Sequence, residues 1–258
     1  MKKLWSSFQI AISMYSRLPA MQVDWNEDTM EYVMCFFPLI GIVIGLLSAA
    51  WFALAQALEM QDALRTAGLI LIPFLVTGGI HLDGMLDTAD ALSSWRPIEK
   101  RLEILKDSHA GAFAIIICGM YLIALFGVED SLRWDMIPVY GFIFVISRSL
   151  SALAVMIFPK ASASGTVSGF ARTAKTRVIC LSCAAYLLIC LLLTLLINPL
   201  YALAVFAGAG LTFAWYHHMA MKNFNGINGD LAGCFLSVAE LIMPLCMVAA
   251  ALAGGKFF

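Results

Sequence analysis

Seven long apolar stretches punctuate the chain, at about 33–58, 67–80, 112–128, 136–158, 178–197, 200–216 and 231–252. Most approach the roughly 20 residues that a helix needs to cross the hydrocarbon of a bilayer. They are apolar all round, so none keeps the polar face that a helix on a soluble domain turns to water. The second stretch is short for a crossing. It is expected to take its last turns from the polar segment after it, or to begin earlier, near Leu64. Ahead of these runs, Leu4, Trp5, Phe8, Ile12, Tyr15 and Leu18 recur at helical spacing. Ser6, Ser7, Gln9 and Ser13 interrupt that segment and no small-x-small cleavage site follows, which argues against a secretory leader. An amphipathic helix within residues 1–20, lying at the membrane surface, fits better. The pattern therefore predicts an all-α polytopic membrane helix bundle: about seven transmembrane helices and an amino-terminal interfacial helix, in one domain over residues 1–258.

Composition sharpens this picture. Hydrophobic residues make up 62% of the chain and charged residues only 13%, which excludes a soluble globule and a disordered chain. Sixteen basic residues against seventeen acidic ones leave no field to attract a polyanion, so a nucleic-acid partner is not expected. The seven cysteines lie mostly inside apolar runs, and Cys180-x-x-Cys183 has no second ligand pair, so they read as packing residues. The basic residues, by contrast, carry topology. With seven crossings, twelve Lys and Arg share the side of the amino terminus, Arg65, Arg133 and Lys256 take the other, and Arg148 falls within a span. The positive-inside rule then places the amino terminus in the cytoplasm, in a multi-pass protein of the cell membrane. The long polar segments, at about 81–111, 160–177 and 219–230, lie on that same face, so substrates are expected from the cytoplasm.

The richest chemistry is in the first of these segments. Asp83, Asp87 and Asp90 stand at i, i+4 and i+7, which on a helix returns all three carboxylates to one face. Like charges at that spacing oppose one another, and desolvation near a bilayer adds to the cost. A divalent cation resolves the conflict, and an oxygen-only donor set suits Mg²⁺ or Mn²⁺ better than zinc. The plainer reading is a helix end whose acids face water. A fourth acid follows in Lys106-Asp107-Ser108-His109-Ala110-Gly111. Gly78-Gly79, just ahead, serves close helix packing or lets a phosphate approach the backbone. Carboxylates with a divalent ion in a membrane bundle point to phosphoryl chemistry, one carboxylate taking a proton from an attacking hydroxyl. Spacing does not say which. The CDP-alcohol phosphotransferase signature, D-x-x-D-G-x-x-A-R, is not met, since Asp83-Gly84 has neither the preceding Asp nor the Ala-Arg.

Another family fits more closely. Gly78-Gly79-x-His81-Leu82-Asp83-Gly84-x-x-Asp87-Thr88-x-Asp90, followed by Arg101-x-Glu103-Ile104-x-Lys106-Asp107-Ser108-x-x-Gly111, resembles the adenosylcobinamide-GDP ribazoletransferases, or cobalamin synthases. The likeness extends over most of the chain through Arg17-Leu18-Pro19, Phe37-Pro38-Leu39-Ile40-Gly41, Ser147-Arg148 and Asn225-Gly226-Ile227-Asn228-Gly229-Asp230, with Glu240 beyond. The resemblance implies a transferase dependent on Mg²⁺. The hydroxyl of α-ribazole, or of its 5′-phosphate, attacks the cobinamide-linked phosphorus of adenosylcobinamide-GDP, forming adenosylcobalamin or its phosphate and releasing GMP. Carried over by position, it makes Asp83, Asp87, Asp90 and Asp107 the metal and base candidates, with His81 beside them. The chain departs from the family at Leu86 and Ala91, and at Ser237, where an acid is common. The late acidic site then consists of Asp230 and Glu240.

The remaining candidates have two readings each. Arg148 within a span is an ion-pair partner of the cluster or a phosphate clamp. Arg101 and Lys106 are topology signals or diphosphate contacts. The small-residue loop around Gly165 is a connector or a substrate contact. Asn225 and Asn228 build a tight turn that also stands near substrate in the resemblance, and Asp230 is a helix cap or a metal or ribazole contact. His217-His218 lacks a third ligand for zinc and reads as an interfacial pair. Two other functions stay open: a phosphotransferase for another alcohol, and a divalent-cation transporter. The second is disfavoured because the acids gather on one face and the halves show no inverted repeat. Lipid is the expected surroundings, and a homo-oligomer is compatible with the sequence.

Overall fold

The computed structural model describes residues 2–107, 109–162 and 166–255. Gly165 therefore lies outside the described residues. The chain forms α1 (Lys2–Tyr15), α2 (Glu27–Met30), α3 (Val33–Ala57), α4 (Asp62–Thr77), α5 (Ile80–Ser93), α6 (Ile98–Ile104), α7 (Ala112–Asp130), α8 (Ile137–Ile157), α9 (Thr166–Thr173), α10 (Thr176–Ile197), α11 (Pro199–Phe224) and α12 (Gly229–Ala253). Among the described residues the only β-type pairing is an isolated parallel bridge between Lys160 and Ile227. Helices α3, α7, α8, α10, α11 and α12 are each long and apolar enough to cross a membrane. Leu181, Leu188, Leu192 and Leu196 on α10, with Ile115, Met120 and Ile123 on α7, are exposed, which is the surface that lipid covers in a multi-pass protein.

The second apolar stretch departs from a straight crossing. Helix α4 begins at Asp62, earlier than the apolar run, and stops at Thr77; α5 then leaves at 92° to it. Gly78 and Gly79 turn the chain, with φ of 68° and 80°. Two successive residues in the left-handed region end one helix and redirect the next, which glycine does without the penalty a Cβ would bring. Together α4 and α5 are long and apolar enough for a crossing, as a bent pair that forms a broken span or a re-entrant loop.

Small residues set the closest approaches. A Cβ built on Gly41 or Gly45 of α3 would run into the α8 backbone at Phe144 and Gly141. On α5, a Cβ at Gly84 would come within 2.6 Å of the Asp230 carbonyl oxygen on α12, and one at Gly233 of α12 within 3.1 Å of the His81 carbonyl oxygen. Gly41→Ala is therefore expected to destabilise the protein by about 1–3 kcal/mol, the usual cost of overpacking a close contact. Thermal unfolding in mild detergent reads this out. An unchanged transition would mean that α3 and α8 separate freely.

Helix α1 buries Ser7, Ile10 and Ala11 beside α3, while Leu4 and Trp5 remain exposed. Part of the stripe joins them, since Phe8 meets Phe36 and Tyr15 meets Phe37 of α3 at ring-centroid distances of 5.6 and 4.3 Å. Met21 N–H donates to Gln9 Oε1 at 2.8 Å, and Arg17 N–H donates to the Val76 carbonyl at 2.7 Å, pinning the chain after α1 to the end of α4.

Candidate active site

The crossing of α5 over the first turn of α12 decides which acids meet. On α5 the buried face is Gly84, Met85, Thr88 and Ala91. Asp83, Asp87 and Asp90 occupy the flanking face. Asp230 joins them because Gly84 and Gly233 allow the two backbones to come together. Asp87 feels the charges of Asp83, Asp230 and Asp90. The carboxylates of Asp83 and Asp87 have no hydrogen bond or ion pair with any described residue, while Asp230 Oδ2 accepts from Asn228 Nδ2 at 3.0 Å. Asn228 itself caps α12, its Oδ1 accepting from Leu231 N–H at 2.9 Å. The cap is thus Asn228, and Asp230 stands inside the first turn beside the acids of α5.

Asp90 has a second task. Its two oxygens accept from the backbone N–H groups of Gly111 and Ala114, the latter at 2.8 Å, so it satisfies the start of α7 from a neighbouring helix. Asp90→Ala is expected to cost about 1–2 kcal/mol, as the loss of a helix cap does. Asp87→Ala removes only a like charge and should leave the unfolding midpoint unchanged or raised. Equal losses in the two variants would show that the bonds to α7 contribute nothing.

The other candidates disperse. Asp107 lies in the loop between α6 and α7, its side chain 59% exposed, and binds His109 Nδ1 at 2.7 Å. That bond holds its carboxyl below the usual carboxylate range. With Arg96 and Lys100 it lines a shallow pocket that includes none of the α5 acids. Lys106 is exposed. Arg101 Nη1 donates to Asn223 Oδ1 at 2.6 Å and so ties α6 to α11. Asn225 closes α11 in the left-handed region, at φ 57°. Gly226 follows against Lys160 and Ala161, leaving no room for a Cβ. Arg148 is fully buried and pairs through Nη1 with Glu240 Oε1 at 2.7 Å; Ser147 Oγ donates to the same oxygen, also at 2.7 Å. The partner of Arg148 is therefore Glu240 and not an acid of α5. Neither Arg148 nor Glu240 lines the two cavities beside the acids.

Those two cavities adjoin. The larger, about 580 Å³ and open, is walled by Ser13, Ser16, Arg17, Gly78 and Gly79. The smaller, about 300 Å³, is more enclosed and mostly apolar, with Tyr15, Phe37, Val155 and Leu236 in its wall and Asp230 at its side. Met14, Ile80 and Asp83 line both. Arg17 is the residue that the motif reading passed over: its only signal was the Arg17-Leu18-Pro19 match, and nothing local placed it beside Gly78.

Among the described residues no three His, Cys, Asp or Glu side chains converge tightly enough to enclose a metal ion. The donors nonetheless suit Mg²⁺. They are all oxygen and their charges crowd one another. Such an ion keeps several waters and needs only one or two carboxylates besides substrate phosphates.

A family model described as cobalamin-5-phosphate synthase matches residues 7–248. A Lachnoclostridium phytofermentans protein named adenosylcobinamide-GDP ribazoletransferase is 42% identical over 245 residues, covering 95% of this chain and 94% of that protein. Proteins of the same name from Desulfitobacterium hafniense and Clostridium botulinum are 32% and 31% identical, over 95% and 94% of this chain and 96% of each relative. No solved structure matches.

Proposed function

The chain belongs to the cobalamin-5-phosphate synthase family of membrane transferases, and from that premise we propose that it joins adenosylcobinamide-GDP to α-ribazole or α-ribazole 5′-phosphate. A ribazole hydroxyl oxygen forms a bond to the cobinamide-linked phosphorus. The bond from that phosphorus to the GMP oxygen breaks, and GMP leaves with the bridging oxygen. The observation that carries this reading is the position of Asp83 on the shared wall of a polar and an apolar cavity. Donor and acceptor are thereby brought to one carboxylate.

Arg17 and the Gly78-Gly79 turn offer the polar cavity a guanidinium and an open backbone, which suit a diphosphate. Asp83 takes the proton of the attacking hydroxyl. Asp87 and Asp230, with Asp83, are the carboxylates that would hold Mg²⁺. When bound, that ion neutralises charge on the phosphate oxygens as the leaving bond breaks. The side chains do the rest by orientation, holding acceptor and donor on either side of Asp83. The acid end of the bundle faces the cytoplasm in this reading, in keeping with the Lys and Arg bias of the loops there.

The test is turnover by purified protein in liposomes, given adenosylcobinamide-GDP and α-ribazole 5′-phosphate with Mg²⁺ or with EDTA. Equal release of GMP and corrinoid product, lost in EDTA and recovered with excess Mg²⁺, is expected. Folded protein that forms neither product would sink the assignment. Equal turnover in both solutions would remove the metal.

A further inference from the structure

We propose that the apolar cavity binds the aromatic base of the acceptor and that His81 reads its free ring nitrogen; this rests on the reaction proposed above. The cavity has the character of an aromatic-base site: Tyr15, Phe37, Val155 and Leu236 supply flat and branched apolar wall. Its polar groups are few. The Tyr15 hydroxyl is turned to Met34 Sδ at 3.9 Å, Asp83 and Asp230 belong to the acid cluster, and Ser151 of α8 adds one hydroxyl to the wall. His81 is different. Its Nε2 is buried and has no hydrogen-bond partner among the described residues, while its ring meets Phe37 edge to face at 6.0 Å. A buried nitrogen left without a partner is costly, and a ligand atom that satisfies it gains specificity for the same reason.

Three aromatic or ring systems enter the proposed reaction, and the cavity discriminates among them. The corrin far exceeds about 300 Å³. Guanine carries polar groups on nearly every edge, which this wall would leave largely unmet. Guanine is also separated from the attacked phosphorus by a ribose and a further phosphate, whereas the attacking hydroxyl sits on the very ribose that carries the ribazole base. A base seated in this cavity places that ribose at Asp83. The benzimidazole of α-ribazole is apolar apart from one free ring nitrogen, an acceptor that His81 Nε2–H fits. His81 is on this reading a specificity residue, distinct from the proton acceptor Asp83.

The experiment compares α-ribazole with an analogue in which indole replaces benzimidazole, so that C–H stands where the free nitrogen was. Wild-type protein should prefer α-ribazole by about tenfold in kcat/KM, the effect of one buried hydrogen bond. His81→Phe keeps a flat ring without the donor, and should bring that preference close to one while leaving the KM for adenosylcobinamide-GDP within about twofold. An undiminished preference in the variant overturns the proposal, as does a change in donor KM in place of acceptor KM. Should His81→Phe fail to accumulate, Ser151→Leu narrows the same cavity and should raise the acceptor KM about tenfold with the donor KM unchanged; the reverse pattern overturns the assignment. If wild-type protein turns over neither acceptor, the reaction itself fails. Equilibrium dialysis of α-ribazole against guanosine with wild-type protein then still decides the cavity, since preferential binding of guanosine overturns it.

Discussion

Asp83→Asn is expected to lower kcat by about 10²–10⁴-fold, the range associated with removing a positioned general base. The substitution keeps the shape of the side chain and takes away both its charge and its basicity. Asp83 is exposed and the described residues give its carboxylate no hydrogen bond or ion pair, so folding should be unaffected, within about 0.5 kcal/mol as for surface positions generally. The pair of measurements is therefore decisive: steady-state turnover with saturating Mg²⁺, and thermal unfolding in the same detergent. A variant that retains near-normal kcat would remove Asp83 from the chemistry, whatever its effect on stability. Asp87→Asn serves as the companion. Its loss should appear chiefly as a higher Mg²⁺ requirement, because Asp87 lines neither cavity and is left with the ion as its task.

The second large effect is on stability. Glu240→Leu should cost about 3–5 kcal/mol, since it strands Arg148 as a buried charge. Arg148 is 0% exposed, and its other two nitrogens, Nε and Nη2, have no hydrogen-bond partner among the described residues. Among the described residues Glu240, the Phe144 carbonyl at 3.0 Å, Ser147 and the faces of Phe37 and Phe144 compensate it. The double variant Arg148→Met/Glu240→Leu replaces both charges by apolar groups and should recover most of the loss. Unfolding midpoints of the three variants test this. A single variant as stable as wild type would mean that water reaches Arg148 and that the pair holds nothing. Phe37 lies over Arg148 and also walls the apolar cavity, so the single variant should weaken acceptor binding as well.

The helical class, the crossing segments and the acidic face were legible in the sequence because each is a local pattern. Twenty apolar residues together, or carboxylates at i, i+4 and i+7, depend only on neighbours along the chain. The family likeness was legible for the same reason, being carried by short ordered motifs. The tertiary structure decided what those motifs meet. The break after Thr77 needed the left-handed backbone at Gly78 and Gly79. Asp230 reaches the α5 acids across nearly 150 residues of chain only because Gly84 and Gly233 let two helices touch. Asp90 turned out to cap α7, and Arg148 to pair with Glu240, 92 residues away. Glu129 was not singled out at all; it is buried and accepts from the Tyr140 hydroxyl at 2.7 Å. A buried charge must find a partner wherever the packing offers one, and packing is set by side-chain volume and close backbone approach, which no local pattern records.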